Sequence, residues 1–281
     1  MQNVLNKDFG GENMINCRKI STAIFCGVMV TGFCSKAELI EYQSDKIIDG
    51  FASFYYQAEN GQILKYRLYN PAEKDDEKKY PLVVHFHGAG SRGDNNVSQL
   101  GLAKKVDTKK YPCFVFAPQC PAGKKWVSTD WGRPSHKMAA APNDQMTMVI
   151  SAIDEIIRKY PIDTRRIYVF GQSMGGFATW EIICRRPDMF AAAVPVCGGA
   201  DETLAPRIAH IPVWIFHGKL DPIVKVERSR NMVAALKSAG GTPKYTEFPD
   251  VKHNAWTYSY TPELFHWMFE QNLPQDKKVR Q

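Results

Sequence analysis

The chain has 281 residues, 44% of them hydrophobic and 23% charged, with a formal net charge of +7. That suits one large α/β domain with a sizeable core better than two small ones. Its lysines and arginines are scattered, the one dense stretch (Glu73–Lys79) mixes both signs, and no zinc-finger or RNA-binding spacing occurs. The basic balance therefore reads as a solubility feature, and a nucleic-acid partner is not expected.

In chain order, Arg18 and Lys19 precede the uncharged, mostly apolar run Ile20–Phe33, and Ser35-Lys36-Ala37 offers small residues for signal cleavage. This predicts a leader and secretory signal peptide over 1–37, with Met14 as an alternative start, and export to the periplasm or medium. The apolar run is shorter than the roughly 20 residues of a membrane span, so no stable membrane insertion is expected. Phe51–Gln57 and Ile63–Tyr69 read as strands joined by a hairpin at Glu59-Asn60-Gly61. Pro81–His87 and Cys113–Ala117 are near-continuous apolar strands of the parallel, doubly covered kind. Asp144–Tyr160 has helical spacing, capped by Asn143. Strand Arg166–Phe170 and helix Phe177–Arg186 follow, then strands Ala191–Val196 and Pro212–Phe216. Helix Ser229–Ala239 ends at Gly240-Gly241; strand Lys244–Phe248 and helix Pro262–Glu270 come last. The alternation predicts an α/β fold over 38–281: one domain, a mostly parallel central sheet with helices on both faces, and an antiparallel N-terminal hairpin. Cys113, Cys120, Cys184 and Cys197 are not spaced as a disulfide scaffold and are expected to be free and buried.

Between the strand ending at Phe170 and its following helix lies Gly171-Gln-Ser-Met-Gly-Gly176. It fits G-x-S-x-G in the strand–turn–helix context that exposes a serine nucleophile at the top of a sheet. A serine hydroxyl needs a base, an acid residue to orient the base, and donors for a developing oxyanion. Asp221 follows the end of strand Pro212–Phe216, and His253 lies in the loop after Lys244–Phe248. Ser173, Asp221 and His253 thus stand in the chain order of one known triad, with Asp250 and Asp201 as fallback acids. The glycine-rich turn His87-Gly-Ala-Gly90 places the backbone N–H of Ala89, or of Gly90, as one oxyanion donor; that of Met174 is the other. His85-x-His87 shares one strand face but has no third ligand at suitable spacing, so no metal is expected, and His87 is expected to brace the oxyanion turn. Trp126, Trp131 and Trp256, in loops after strand ends, and Gln172 beside the nucleophile are candidate substrate contacts.

These residues together resemble the α/β-hydrolase esterases related to polyhydroxybutyrate depolymerases, feruloyl esterases and acetyl xylan esterases. The resemblance runs from about Gln62 to Gln271. It rests on His87–Asn96, Ala117-Pro-Gln-Cys-Pro121, Ile162–Tyr168, Gly171–Gly176, Phe190–Val196, Phe216-His-Gly218 with Asp221, and His253-Asn-Ala-Trp256. It implies the α/β-hydrolase fold and carboxylic ester hydrolysis through an acyl-enzyme, without a cofactor. With the leader, it points to acetyl or feruloyl esters on plant polysaccharide, the partner being a small-molecule or polysaccharide ester. A prolyl-oligopeptidase-like serine peptidase shares the sheet and the triad and is the alternative. A non-catalytic sugar-binding protein on the same scaffold is a further one.

Overall fold

The computed structural model describes residues 37–41, 47–71, 75 and 77–274. Of the expected leader, only Ala37 falls among these residues. Nine described strands form one sheet: β1 (Glu38–Glu41), β2 (Phe51–Gln57), β3 (Ile63–Tyr69), β4 (Tyr80–Phe86), β5 (Phe114–Pro118), β6 (Ile162–Gln172), β7 (Ala192–Val196), β8 (Trp214–Gly218) and β9 (Lys244–Phe248). The spatial order is β1-β2-β3-β5-β4-β6-β7-β8-β9. β1, β2, β3 and β5 pair antiparallel in turn, and every pair from β5 through β9 is parallel. The expected hairpin is therefore present. It is extended by β1, a four-residue strand too short to show a pattern of its own.

The helices are α1 (Leu100–Ala103), α2 (Asp144–Lys159), α3 (Met174–Arg185), α4 (Ala205–Ile208), α5 (Glu227–Ser238), α6 (Trp256–Ser259) and α7 (Pro262–Glu270). Alternation along β4 decides the layers: Leu82, Val84 and Phe86 pack with α2, α3 and α5 on one face, and Val83 packs with α7 on the other. All residues of β4, β5, β7 and β8 are buried, as parallel strands covered on both faces must be. Asn143 caps α2 by accepting from Met146 N–H, the expected start signal. Cys113, Cys120, Cys184 and Cys197 are free and buried.

The starts of β6 and α3 differ from expectation by three residues or more. β6 begins at Ile162 rather than Arg166, because Ile162 pairs with Tyr80 across a register shift. Charged Asp163, Arg165 and Arg166 interrupt its apolar pattern, and Arg166 bonds Asp163 at 2.6 Å. α3 begins at Met174 rather than Phe177; its first turn contains two glycines, residues of low helix propensity that hide the start. The consequence is that β6 runs directly into α3 with Ser173 alone between them.

Candidate active site

Ser173 has φ 55° and ψ −120°, a left-handed backbone in a residue with a Cβ. Such a conformation costs on the order of 1–3 kcal/mol and persists only where its surroundings over-determine it. Here the Ser173 N–H donates to Val196 O of β7 (2.8 Å), and Ser173 O accepts from Gly176 N–H (2.8 Å) and Phe177 N–H (3.1 Å). Glycines are required alongside because the backbones touch. A Cβ on Gly171 would stand 2.7 Å from Phe86 O, and one on Gly175 1.9 Å from the same oxygen. The elbow thus locks the end of β6 and the start of α3 against the end of β4.

Asp221 sits three residues beyond β8, at the start of a tight turn. Its Oδ1 accepts from the N–H groups of Ile223 and Val224, both at 2.9 Å. Its Oδ2 is 2.7 Å from His253 Nδ1 and 3.3 Å from His217 Nε2, and its side chain is completely buried. Burial alone would raise its pKa. Hydrogen bonds from His217, His253 and Val224 N–H outweigh this and hold the carboxyl well below the usual carboxylate range. His253 follows β9 and turns its Nε2 to within 2.8 Å of Ser173 Oγ. With Nδ1–H donated to the carboxylate, Nε2 is left as an acceptor for the serine proton. The three groups expected from chain order are thus brought together in one relay. The fallback acids do other work: Asp201 accepts from Met138 N–H and Thr203, and Asp250 is exposed.

The sequence did not single out His217. It is fully buried at the end of β8, with Nε2 2.9 Å from Val224 O and Nδ1 2.7 Å from Ser229 Oγ. Nε2 faces two acceptors, so it carries the hydrogen and donates to the same turn that holds Asp221. Cys197, His217 and Asp221 place ligand-type atoms within 4.8 Å of one another. Nε2 in that protonation state has no lone pair for a cation, and the Asp221 oxygens are already engaged by donors.

Beside Ser173 lies the turn after β4: a Cβ on Gly88 would stand 3.6 Å from Ser173 Cβ. Gly88 is extended (φ −76°, ψ 172°) and leads into a 3-10 turn over Ala89–Ser91. His87 braces this turn as expected. Its Nδ1 donates to Gly88 O (2.7 Å) and its Nε2 accepts from Cys120 N–H (2.9 Å). Burial depresses its pKa to about 4, so it is neutral in this role. The Gln172 amide satisfies its neighbours in one orientation, accepting from Gly88 N–H (3.1 Å) and donating to Phe86 O (3.2 Å). Ala89 lines the same cavity as Ser173. Met174 is the first residue of the twelve-residue α3, where N–H groups lack intrahelical acceptors and the helix dipole favours negative charge.

The cavity at Ser173 has a volume of about 480 Å³, within the range of small-molecule sites. His253, Trp131, Trp256 and Gln172 contribute to its wall. Trp256 stands edge-on to the His253 ring, with centroids 5.3 Å apart. Trp131 is half-buried beneath the Lys125 ammonium. Trp126 corrects the sequence expectation of a substrate contact. It is completely buried, packs edge-on to Phe86 (5.3 Å) and donates Nε1–H to His87 O (3.1 Å). It holds the strand end before the turn after β4 through His87 O and is absent from the cavity lining. Gln172 lines the cavity, but its amide is spent on the turn backbone rather than offered to a ligand. A second residue outside the sequence reading, Arg228 of α5, is fully buried. It donates to Arg133 O (3.1 Å) and Ala200 O (3.2 Å) and contacts His136, tying down the loop that carries Trp131.

Comparison with known proteins agrees with this architecture. A solved structure described as a thermostable esterase superposes with a TM-score of 0.74 at 38% identity, covering 80% of this chain and 64% of that one. A bifunctional acetylxylan esterase/xylanase of Neocallimastix patriciarum is 27% identical over 216 residues, covering 74% of this chain and 29% of that protein. An uncharacterized peptidase of Bacillus subtilis is 26% identical over 236 residues, covering 71% of this chain and 35% of that protein. The chain thus spans about a third or less of these two curated relatives. The family model described as phospholipase/carboxylesterase matches residues 70–261, from the end of β3 to the start of α7. By that match, over more than half its length, the chain belongs to the phospholipase/carboxylesterase family and has the α/β-hydrolase fold.

Proposed function

We propose that the chain is a serine carboxylesterase that works through an acyl-enzyme. The observation that carries this reading is the continuous relay from Ser173 Oγ to His253 (2.8 Å) and from His253 to Asp221 (2.7 Å), opening on the cavity. Ser173 Oγ attacks the ester carbonyl as His253 Nε2 takes its proton. Asp221 keeps the Nδ1–H tautomer and stabilises the imidazolium. The N–H groups of Met174 and Ala89 receive the oxyanion. His253 then gives the proton to the leaving alcohol oxygen, and the ester C–O bond breaks. Water, deprotonated by His253, attacks the acyl-enzyme; the acid leaves and the proton returns to Ser173.

The preferred substrates in this reading are acetyl or feruloyl esters on plant polysaccharide, reached after export of a 38–281 catalytic domain from its leader. The acetylxylan esterase/xylanase relative supports the acetyl choice. A feruloyl esterase B of Neurospora crassa, 26% identical over 148 residues, supports the other. Among the described residues, no helix is long and apolar enough to cross a membrane. The test is hydrolysis of p-nitrophenyl acetate, methyl ferulate, acetylated xylan and a peptide p-nitroanilide by wild type and Ser173→Ala. Ester turnover that disappears in the variant is expected. Anilide turnover exceeding ester turnover would move the assignment to the peptidase class, toward the Bacillus subtilis relative.

A further inference from the structure

Two imidazoles share one oxygen of the Asp221 carboxylate. Oδ2 is 2.7 Å from His253 Nδ1 and 3.3 Å from His217 Nε2. Behind His217 a second serine completes a mirror image of the relay. Ser229 Oγ of α5 is 2.7 Å from His217 Nδ1, as Ser173 Oγ is 2.8 Å from His253 Nε2. The two arms differ in what they reach. His253 opens on the cavity, whereas His217 and Ser229 are 0% and 1% exposed and absent from its lining. The second arm therefore touches no substrate, and the acyl-transfer steps leave it unused.

The atoms of this arm show what it can do. His217 Nε2 stands between Val224 O (2.9 Å) and Asp221 Oδ2, both acceptors, so the ring hydrogen sits there. Nδ1 then accepts from the Ser229 hydroxyl, which fixes the ring at its other end. Oδ1 of the carboxylate is held separately, by Ile223 N–H and Val224 N–H. Those two backbone donors keep the carboxyl group in place whatever stands at position 217. What His217 adds is the positive end of an N–H dipole beside the oxygen that orients His253. A carboxylate shared among more donors is a weaker base, and it holds an imidazolium less firmly.

We infer that His217 is a positioning residue of the triad, acting through Asp221: its Nε2–H, anchored by Ser229 and Val224 O, tempers how strongly Oδ2 holds the protonated His253. This rests on the esterase reading and adds a fourth side chain to its proton relay. The other titratable groups around the carboxylate stay silent near neutral pH. Cys197, at the end of β7, has its Sγ within 4.8 Å of the ligand-type atoms of His217 and Asp221. Burial, with the Asp221 charge beside it, pushes that thiol up to about 12. Tyr260, next to Cys197, is buried and its phenol is raised well above its ordinary value. Ser229, the α5 residue on the ring, does not titrate.

The test is the pH profile of kcat/KM on p-nitrophenyl acetate for wild type, His217→Leu and His217→Gln. The acid limb reports the base of the free enzyme. His217→Leu removes the N–H, so the limb is expected to move up by about half a unit to one unit, a roughly threefold to tenfold gain in proton affinity. Gln carries an amide N–H as many bonds from Cα as Nε2 is in His, and its limb is expected within about 0.2 unit of wild type. An unmoved limb in His217→Leu refutes the assignment. A downward shift refutes it too, because it means that Asp221 has lost its place. A limb in His217→Gln that moves as far as in His217→Leu refutes the N–H as the cause. Nitrogen NMR of the wild-type imidazoles needs neither a folded variant nor turnover. His217 is expected to keep its hydrogen on Nε2 from about pH 5 to 8, with that proton's resonance moving at the titration midpoint of His253. A hydrogen on Nδ1, or a resonance that ignores His253, refutes the assignment. Wild type without turnover on any ester overturns the esterase reading instead, and the resonance then decides the role of His217 alone.

Discussion

Gly175→Ala tests the elbow geometry most sharply. The added Cβ would stand 1.9 Å from Phe86 O, 2.6 Å from Phe86 C and 3.0 Å from His87 O, all backbone atoms at the end of β4. Restoring ordinary contact at about 3.4 Å requires the first turn of α3 and the end of β4 to separate by about 1.5 Å. No side chain can rotate away to relieve this. The displacement falls between Ser173 and Met174 on one side and the turn carrying Ala89 on the other. A misplacement of about 1 Å in a catalytic constellation is worth roughly 100-fold in rate. The expected result is a fall in kcat/KM on p-nitrophenyl acetate of at least about 100-fold, with a lowered Tm because the overpacked contact costs about 1–3 kcal/mol or more. Gly132→Ala is the control: its Cβ would meet only Asp130 Oδ1, at an ordinary 3.6 Å, and both activity and Tm should match wild type. Activity of Gly175→Ala within twofold of wild type at an unchanged Tm would refute the claim that this approach fixes the nucleophile.

Asp221→Asn should leave the fold intact but unbalance the His253 tautomer. A fall in kcat of about 10³–10⁴-fold with little change in KM is expected by steady-state kinetics, and a fall below tenfold would contradict the relay. Arg228→Ala removes the donor to Arg133 O and Ala200 O and should cost about 2–4 kcal/mol in urea unfolding; a loss below 0.5 kcal/mol would contradict its anchoring role. His85 and His87 have pKa values lowered by burial to about 3 and about 4. The native state keeps them neutral while the unfolded chain takes up protons below about pH 6.5, so their contribution is lost as pH falls from there toward 4. The two together should remove about 3 kcal/mol between pH 6.5 and 5. His87→Gln should remove about half of that pH dependence, and an unchanged dependence in the folded variant would contradict the buried neutral state. The depressed Asp221 carboxyl acts outside this window, since its contribution is lost only below the unfolded value near pH 4.

Much of this architecture is legible in the sequence because local pattern and tertiary demand coincide. β2, β3, β9 and α7 begin and end at the residues that alternation, turn residues and helical spacing predict. The Ser173, Asp221 and His253 positions are legible for a topological reason: parallel strands deliver the loops at their carboxyl ends to one edge of the sheet. What escapes is what depends on distant backbone. Arg228 looks like an ordinary helix-surface cation, yet its partners are carbonyls 95 and 28 residues away. His217 looks like a strand-end residue until the turn at Val224 folds back on it. Trp126 and Trp131 are indistinguishable as loop tryptophans, and only the three-dimensional path of their loop buries one against His87 and puts the other on the cavity wall.

The central claim, that Ser173 is a nucleophile activated by the His253–Asp221 pair, is tested most directly by covalent labelling. A fluorophosphonate should add once per chain, on the peptide containing Ser173, with ester hydrolysis lost in step with labelling and no adduct on Ser173→Ala. A folded wild-type protein that takes no label, or that carries it on another serine, would contradict the account.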